Sequence, residues 1–178
     1  DLKCRLHLTE LEKSVVDDIL LGIGDDDFIA IEPHSKTNYT PNRAYPFEKW
    51  QLVVDELSRH IKVVQVGQRT EKVLKNCINL TGSTTFREAA GIIENAKMLL
   101  CSEGGLMHVA NAMSTKSLVI VTGYQSPIMT CYPENINLWV NNGHGPCGLK
   151  MHCEKCSDAL ISHDPYEIIN SVISELKI

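Results

Sequence analysis

The segment from Ser102 to Ala112 has the residue types that could bind a phosphate group. It follows an apolar run at residues 98–101, which predicts a buried parallel strand, and it leads into a helix of small residues. Gly104 and Gly105 would let the backbone approach a ligand closely. The N–H groups of the helix's first turn would point at that ligand, with the helix dipole behind them. The segment therefore predicts an anion site that suits a diphosphate.

A second group of residues has the types and spacing that bind metals. Cys153 and Cys156 form a Cys-x-x-Cys pair in a polar, Gly-containing segment that we predict to be a loop, and Cys147 could supply a third thiolate. The candidates for a fourth ligand are Cys131, His144, His152 and His163. This pattern indicates a structural zinc or iron ion, while leaving open a loop with reduced cysteines, or a disulfide. The chain has seven cysteines, an odd number, which favours a reducing, cytoplasmic compartment.

The elements that must position these residues alternate between strands and helices, which predicts a doubly wound parallel sheet. Capping-box patterns begin helices at Thr9 and Thr85, and Asp164-Pro165 precedes a terminal helix. We predict strands near residues 28–31, 61–66, 78–80, 98–101, 117–121 and 136–140, a helix after Pro46 and a short helix at residues 71–75. Ligands of such sheets bind at the carboxyl ends of the strands.

Composition narrows the function classes. The net charge is −5 and no Lys/Arg stripe is present, which argues against nucleic acid as a partner. No apolar stretch approaches the length of a membrane span. Because the chain begins with Asp1, we expect it to be a piece of a longer protein. The length and apolar content suffice for one full core, so we expect a single domain.

Four separated features resemble one family. Pro33-His34-Ser35 follows the first strand, Arg43 precedes the pair Tyr45-Pro46, and Gly67 ends the second strand with Glu71 four positions later. The segment Glu103-Gly104-Gly105-Leu106-Met107-His108-Val109-Ala110-Asn111-Ala112 takes the place of the signature Asp-Thr-Gly-x-x-His-x-Ala-x-Ala. In order and spacing the chain resembles the C-terminal half of glycosyltransferase family 9, the ADP-heptose:lipopolysaccharide heptosyltransferases, from about residue 8 to residue 176.

The resemblance implies a Rossmann-like sheet, the C-terminal domain of a GT-B fold. Residues 25–178 would then be the nucleotide-sugar-binding domain, and residues 1–24 a leading helix and linker from a missing N-terminal domain. The resemblance also implies binding roles for Ser35, Arg43, Glu71, Glu103, Gly104, Gly105 and His108, with His108 and Glu103 as weak catalytic candidates. No cofactor is required for donor binding. The expected partners are a nucleoside-diphosphate sugar, with an ADP-sugar favoured, and the missing acceptor domain. The expected location is the cytoplasm, at the inner face of the bacterial inner membrane, where the full-length protein would make peripheral contact.

The chain departs from the family pattern at several positions. Glu103 stands in place of Asp and Gly104 in place of Thr, so a hydroxyl group that could cap the helix is lost. Arg43 stands where Lys is usual, which keeps the charge but replaces a compact ammonium with a planar fork. His34 stands where Gly is common. ADP-heptose is therefore not assumed to be the donor.

Each of these residues also has an ordinary structural interpretation. Arg43 could be a solvated loop residue, Glu71 a helix N-terminal acid, His108 a hydrogen-bonded structural histidine and Glu103 a turn acid in a local ion pair. At the level of the protein, the leading hypothesis is the donor domain of a glycosyltransferase, inactive by itself. The alternatives are a non-catalytic nucleotide-sugar-binding module and a nucleotide-sugar epimerase of GT-B fold.

Overall fold

A six-stranded, fully parallel sheet forms the centre of the computed structural model, which describes residues 4–36 and 38–178. The strands are β1 (Phe28–Glu32), β2 (Lys62–Gln65), β3 (Ile78–Asn79), β4 (Leu99–Ser102), β5 (Ser117–Thr122) and β6 (Ile136–Val140). Their order is β3-β2-β1-β4-β5-β6, so the connection reverses between β1 and β4. This is the Rossmann order, in which ligands bind where the strand order reverses. The predicted fold class is confirmed.

The described part of the chain has seven α-helices, six of which cover the two faces of the sheet. They are α1 (Glu10–Ile23), α2 (Phe47–Leu57), α3 (Phe86–Asn95), α4 (Gly105–Met113), α5 (Pro127–Thr130), α6 (Glu154–Ser162) and α7 (Tyr166–Leu176), with a 3₁₀ turn at Pro41–Arg43. One face packs against α2, α6 and α7, and the other against α1, α3 and α4. None of the described helices combines the length and the apolar character that a membrane span requires.

The central strands form where apolar runs are buried on both faces. All six residues of β5 are buried, as are all four of β4, which is the pattern of a parallel sheet covered by helices. In the register of β1 and β4, Ile31 lies opposite Leu100 and Glu32 lies opposite Cys101. Both strands therefore end at the same edge, where the polar segments that follow them meet.

Both predicted capping boxes are present. Thr9 and Thr85 accept hydrogen bonds from the backbone N–H groups of Glu12 and Glu88, whose carboxylates bond back to the cap residues. The first box also connects two helices, because the Arg87 guanidinium on α3 binds the Glu12 carboxylate and the carbonyl of His7. Helix α1 therefore packs on α3 against the sheet. The division at residue 24 remains a prediction, and its first three residues lie outside the described part of the chain.

Gly91 marks the closest approach between α1 and α3. A Cβ atom at this position would lie 2.6 Å from Val16 Cγ2 and 2.8 Å from Leu8 Cδ1. We expect Gly91→Ala to lower the free energy of unfolding by roughly 1–2 kcal/mol, because the overpacking exceeds the gain in helix propensity. The matched control is Gly22→Ala in α1, where no atom lies within 4 Å and stability should stay level or rise. Urea denaturation measures both, and equal effects would contradict the packing argument.

Two of the predicted elements are wrong. Residues 71–75 are not helical, because side-chain amides hold the segment open: the N–H groups of Leu74 and Lys75 donate to Gln65 and Gln51 at 2.8 Å. The cysteine segment, residues 147–156, is not entirely a loop, since α6 begins at Glu154 and places Cys156 in the interior. Both Cys153 and Cys156 are buried.

Candidate functional site

The segments after β1, β2, β4 and β5 meet at the carboxyl edge of the sheet, as predicted. Helix α4 begins at Gly105 directly after β4, with Gly104 as its cap residue and no side-chain hydrogen bond at the cap. A Cβ atom at Gly105 would meet no atom within 4 Å, and one at Gly104 would only touch the Ser102 carbonyl at 3.8 Å. The packing of the domain therefore does not require these glycines, and the space beside the first turn of α4 is open for a ligand.

Arg43 reaches this turn from the segment after β1. Its Nη2 donates to the backbone carbonyl of Glu103 at 2.5 Å and to Glu103 Oε1 at 2.8 Å. The Glu103 side chain is only 7% exposed. Burial raises the pKa of the Glu103 carboxyl, and the charge of Arg43 opposes that rise. A cation and an acid thus share the anion site that the sequence predicted around the glycines.

Three polar atoms at this point are buried without a hydrogen bond of good geometry to any described residue. They are Arg43 Nε, Glu103 Oε2 and the hydroxyl of Ser102. Gln125, from the segment after β5, lies close enough to the Glu103 carboxyl to counter part of its pKa rise. Buried polar groups without partners are rare in native proteins, and those that occur call for a specific explanation such as a ligand or water. Their concentration beside Gly104 marks this position as the centre of the candidate site.

Ser35 and His34 brace the loops of the site. The Ser35 hydroxyl donates to the carbonyl of Arg43 at 2.9 Å. His34 Nε2 lies 2.9 Å from the carbonyl of Lys72 in the segment after β2, and its ring stacks on Phe47 at 5.7 Å. The Ser35 hydroxyl hydrogen therefore holds the turn that carries Arg43. In this arrangement Ser35 has no hydrogen left to donate to a phosphate.

The other two predicted binding residues lie away from the Arg43–Glu103 pair. Glu71 is exposed in the segment after β2, two strands from β4 in the sheet order. His108 is exposed on α4, and its Nδ1 lies 2.8 Å from the Tyr132 hydroxyl. The His108 charge is still near enough to Glu103 to influence that carboxyl's pKa. The binding roles of both residues and the catalytic role of His108 remain predictions.

Sequence reasoning missed Glu32, which ends β1 at the same edge. Its side chain lies beside Gly67 at the end of β2, where Oε1 would be 3.3 Å from a Cβ atom of residue 67. Burial raises the pKa of the Glu32 carboxyl to about 7. The available signal was an acidic residue placed directly between an apolar strand and Pro33.

The predicted metal ligands Cys147, Cys153 and Cys156 come together. Their sulfur atoms lie within 4.8 Å of one another, with Cys147 and Cys156 Sγ 3.4 Å apart. Thiolates on one tetrahedral ion with bonds of 2.3 Å lie about 3.8 Å apart, so the three sulfurs fit such an ion. Hydrogen bonding by the Cys156 backbone lowers the pKa of the Cys153 thiol, whereas burial raises that of Cys156. All seven cysteines, each within the described residues, are free of disulfides.

The structure sorts the candidates for a fourth ligand. Cys131 packs on the α1, α3 and α4 face of the sheet, whereas α6 belongs to the opposite face. His163 Nδ1 lies 2.8 Å from the buried Tyr45 hydroxyl. His144 and His152 are both exposed, but of the two only His144 lines the cavity of about 240 Å³ next to the three thiols. His144 is therefore the protein residue best placed to complete a ligand set.

A further unpredicted contact connects the cysteine segment to the Arg43 turn. The buried side chains of Thr40 and Asn42 both hydrogen-bond to it, from positions that begin the 3₁₀ turn at Pro41–Arg43. Thr40 followed by Pro41 is a recognisable start signal for a helical turn. The contact itself spans more than a hundred residues of chain and left no local pattern in the sequence.

Several known proteins resemble this chain. The lipooligosaccharide heptosyltransferase 2 of Haemophilus influenzae is 35% identical over 60 residues, which is 34% of this chain and 17% of that enzyme. The structure of E. coli ADP-heptose lps heptosyltransferase II superposes with a TM-score of 0.68 at 19% identity, over 98% of this chain and 54% of that one. The chain thus spans about half the length of that solved structure and matches a smaller part of the H. influenzae enzyme.

A third relative carries a metal. TibC of enterotoxigenic E. coli is an iron-containing dodecameric glycosyltransferase. Its structure superposes with a TM-score of 0.69 at 14% identity, over 99% of this chain and 48% of the TibC chain. TibC has also been solved in complex with ADP-D-beta-D-heptose. At these identities the structural likenesses establish the fold alone. The sequence profile of glycosyltransferase family 9 (heptosyltransferase), however, matches residues 2–159, and by this match the chain belongs to that family.

Proposed function

We propose that this chain is the nucleotide-sugar-binding domain of a glycosyltransferase, and that the donor's diphosphate lies between Arg43 and the first turn of α4. The observation that carries the proposal is the partly buried Arg43 side chain beside an open helix N-terminus, with a buried Nε that is unpaired among the described residues. An arginine fork and backbone N–H groups are the donors that suit a diphosphate. The family match and the relative solved with ADP-D-beta-D-heptose support an ADP-sugar as the favoured donor.

Transfer of a sugar requires stabilisation of the leaving diphosphate and a base for the acceptor hydroxyl. Arg43 and the α4 N–H groups would supply the first. Glu103 would hold Arg43 in place until the diphosphate takes over one of its donors, so we assign Glu103 a positioning role. His108 is exposed and bonded to Tyr132, and the acceptor and its base would come from another domain. The chain alone is therefore proposed to bind the donor without transferring the sugar.

Calorimetric titration of the purified chain tests the assignment. We expect ADP and ADP-sugars to bind and AMP to bind at least tenfold more weakly, because one phosphate cannot meet both Arg43 and α4. UDP, GDP and CDP form the comparison set for the base. A chain that binds no nucleoside diphosphate would contradict the proposal. Sugar transfer by the chain itself would contradict only the proposed need for a second domain.

The altered signature at Glu103 and Gly104 also permits a non-catalytic binding module or a nucleotide-sugar epimerase of GT-B fold. Incubation with an ADP-sugar and analysis of the recovered sugar would reveal epimerisation directly. An acceptor domain in the parent gene would favour the transferase over the binding module. For the whole protein we propose a heptose or related sugar as the transferred group. We also propose a cell-surface glycan or protein as the acceptor, and action at the inner face of the inner membrane.

We propose further that Cys147, Cys153 and Cys156 hold a structural zinc or iron ion, with His144 or water completing the set. The convergence of three largely buried sulfurs supports this, as does the iron of the relative TibC. Such an ion would fix the segment between β6 and α6. Elemental analysis should find about one metal per chain, and Cys153→Ser should lose it. Cys77→Ser is the control, because Cys77 directly precedes β3, and β3 and β6 are the two opposite edge strands of the sheet. Metal-free wild-type protein would contradict the proposal.

A further inference from the structure

Asn42 connects the cysteine cluster to the candidate nucleotide site. Its Oδ1 accepts a hydrogen bond from the N–H of Cys153 at 2.9 Å, and its Nδ2 donates to the carbonyls of Leu149 and Met151 at 2.9 and 2.8 Å. Asn42 is only 3% exposed. Its amide thus uses one acceptor and both donors to hold the backbone of the cysteine segment.

The same residue belongs to the turn that carries Arg43. Thr40 accepts the Asn42 N–H and donates to the Leu149 carbonyl at 2.9 Å, so the turn and the cysteine segment share a buried hydrogen-bond network. Arg43 follows Asn42 directly and reaches Glu103 from the end of this turn. Any shift of the cysteine segment would therefore be passed to the base of the Arg43 side chain.

The cysteine segment also contacts the loop on the other side of the site. The N–H groups of Cys147 and Gly148 donate to the carbonyls of Gly123 and Tyr124, at 2.9 and 3.0 Å. These two residues follow β5 and precede Gln125, which lies beside Glu103. The segment is thus held between the two loops that border the Arg43–Glu103 pair.

The apolar side chains of the cysteine segment contribute little to its order. Leu149 is 44% exposed and Met151 is 73% exposed. The segment is held by its cysteines, by Asn42 and Thr40, and by backbone hydrogen bonds. Metal binding by thiolates supplies ordering free energy to a segment of this kind.

We propose that an ion bound by the three cysteines positions Arg43 through Asn42, so that metal occupancy sets the affinity for the nucleoside diphosphate. Asn42 is then a positioning residue. The inference rests on the proposed function, because it assumes both the metal and the diphosphate site. Coupling between two sites is reciprocal, so ADP must raise the metal affinity by the same factor by which the metal raises ADP affinity.

The test compares ADP binding by zinc-loaded and chelator-stripped wild-type chain. We expect stripping to lower ADP affinity by roughly 5- to 50-fold, within the usual range of coupling between sites. ADP should lower the dissociation constant for zinc by the same factor, measured with a competing chelator. Equal ADP affinity in the two forms would overturn the coupling and leave the proposed function standing. Absence of ADP binding in both forms would instead remove the proposed function.

Variants assign the effect to Asn42. Asn42→Ala should keep about one zinc per chain, lower ADP affinity and make loaded and stripped proteins alike. Asn42→Asp keeps the acceptor for Cys153 but sets a carboxylate oxygen against the carbonyls of Leu149 and Met151, so a loss at least as large as that of Asn42→Ala is expected. Asn170→Ala, at an exposed position of α7, is the matched control and should behave as wild type.

A second variant keeps the test decisive if Asn42→Ala does not fold. Thr40→Val removes only one hydrogen bond to the segment and should also weaken the coupling between zinc and ADP. Folding of each variant is checked by circular dichroism. Undiminished coupling in folded Asn42 or Thr40 variants, or a wild-type chain that takes up neither zinc nor iron, would overturn the proposal.

Discussion

Replacing Arg43 with alanine is expected to weaken ADP binding by roughly ten- to a hundredfold, the scale of a lost charge-assisted hydrogen bond of about 1.5–3 kcal/mol. Arg43 combines positive charge, partial burial and proximity to the first turn of α4. Arg43→Lys should lose less, because it keeps the charge while giving up the planar fork. Calorimetric titration with ADP measures each variant.

The control must separate ligand contact from damage to the site. Arg59→Ala removes an exposed guanidinium that pairs with Glu56 on α2, and it should leave ADP affinity unchanged. Arg43→Ala also strands the Glu103 carboxyl without its cation. The double variant Arg43→Ala/Glu103→Gln removes that buried charge and should bind ADP as weakly as Arg43→Ala. Recovery of wild-type affinity in the double variant would show that Arg43 only neutralises Glu103 and does not bind the diphosphate.

The pairing of Arg43 with Glu103 would also explain how an acid can occupy the proposed anion site. The carboxylate satisfies part of the guanidinium while no ligand is bound, and burial holds the pKa of Glu103 above its usual value. A diphosphate that approaches Arg43 would compete with a carboxyl that gains a proton more readily than an exposed one. We expect Glu103→Gln to weaken this competition and therefore to bind ADP at least as tightly as the wild type.

Most of the fold could be predicted from local patterns. The buried apolar runs and the two capping boxes are short-range signals, so β1, β4, β5, α1 and α3 were found near their observed positions. The family resemblance implied a Rossmann-like sheet, and the strand order itself became known only from the structure. The helix expected at residues 71–75 does not form, because the side-chain oxygens of Gln65 and Gln51 accept hydrogen bonds from the backbone N–H groups of Leu74 and Lys75. These side chains lie 9 and 24 positions away in the sequence, so no local pattern reveals the contacts.

The candidate site was predictable only in its parts. The family resemblance predicted binding roles for Arg43 and Glu103. Their direct contact, however, forms only because β1 and β4 lie side by side in the sheet. Asn42 has no local signal, because its role depends on the carbonyls of residues more than a hundred positions away. The cysteine spacing predicted the cluster correctly as a grouping of thiols. The burial of the cluster against α6 required the tertiary structure.

Glu32→Gln is expected to stabilise the protein at alkaline pH and to have little effect in acid. Burial raises the pKa of the Glu32 carboxyl from 4.5 to about 7, so folding favours its protonated form. The stability that this preference provides is fully present below about pH 4.5 and is lost as pH rises through about 7. At about 1.36 kcal/mol per pKa unit, a difference of this size corresponds to about 3 kcal/mol.

Glutamine imitates the protonated carboxyl and removes its titration. The free energy of unfolding of Glu32→Gln should therefore exceed that of wild type by about 3 kcal/mol at pH 8.5, and the difference should nearly vanish at about pH 4.5. Urea denaturation across this range measures the difference, and Glu134→Gln, at an exposed position, is the control. A difference that does not change with pH would mean that the Glu32 carboxyl is solvated in the folded chain. The expected result would instead show that the end of β1 holds an acid at a cost in stability, as ligand-binding edges of such sheets often do.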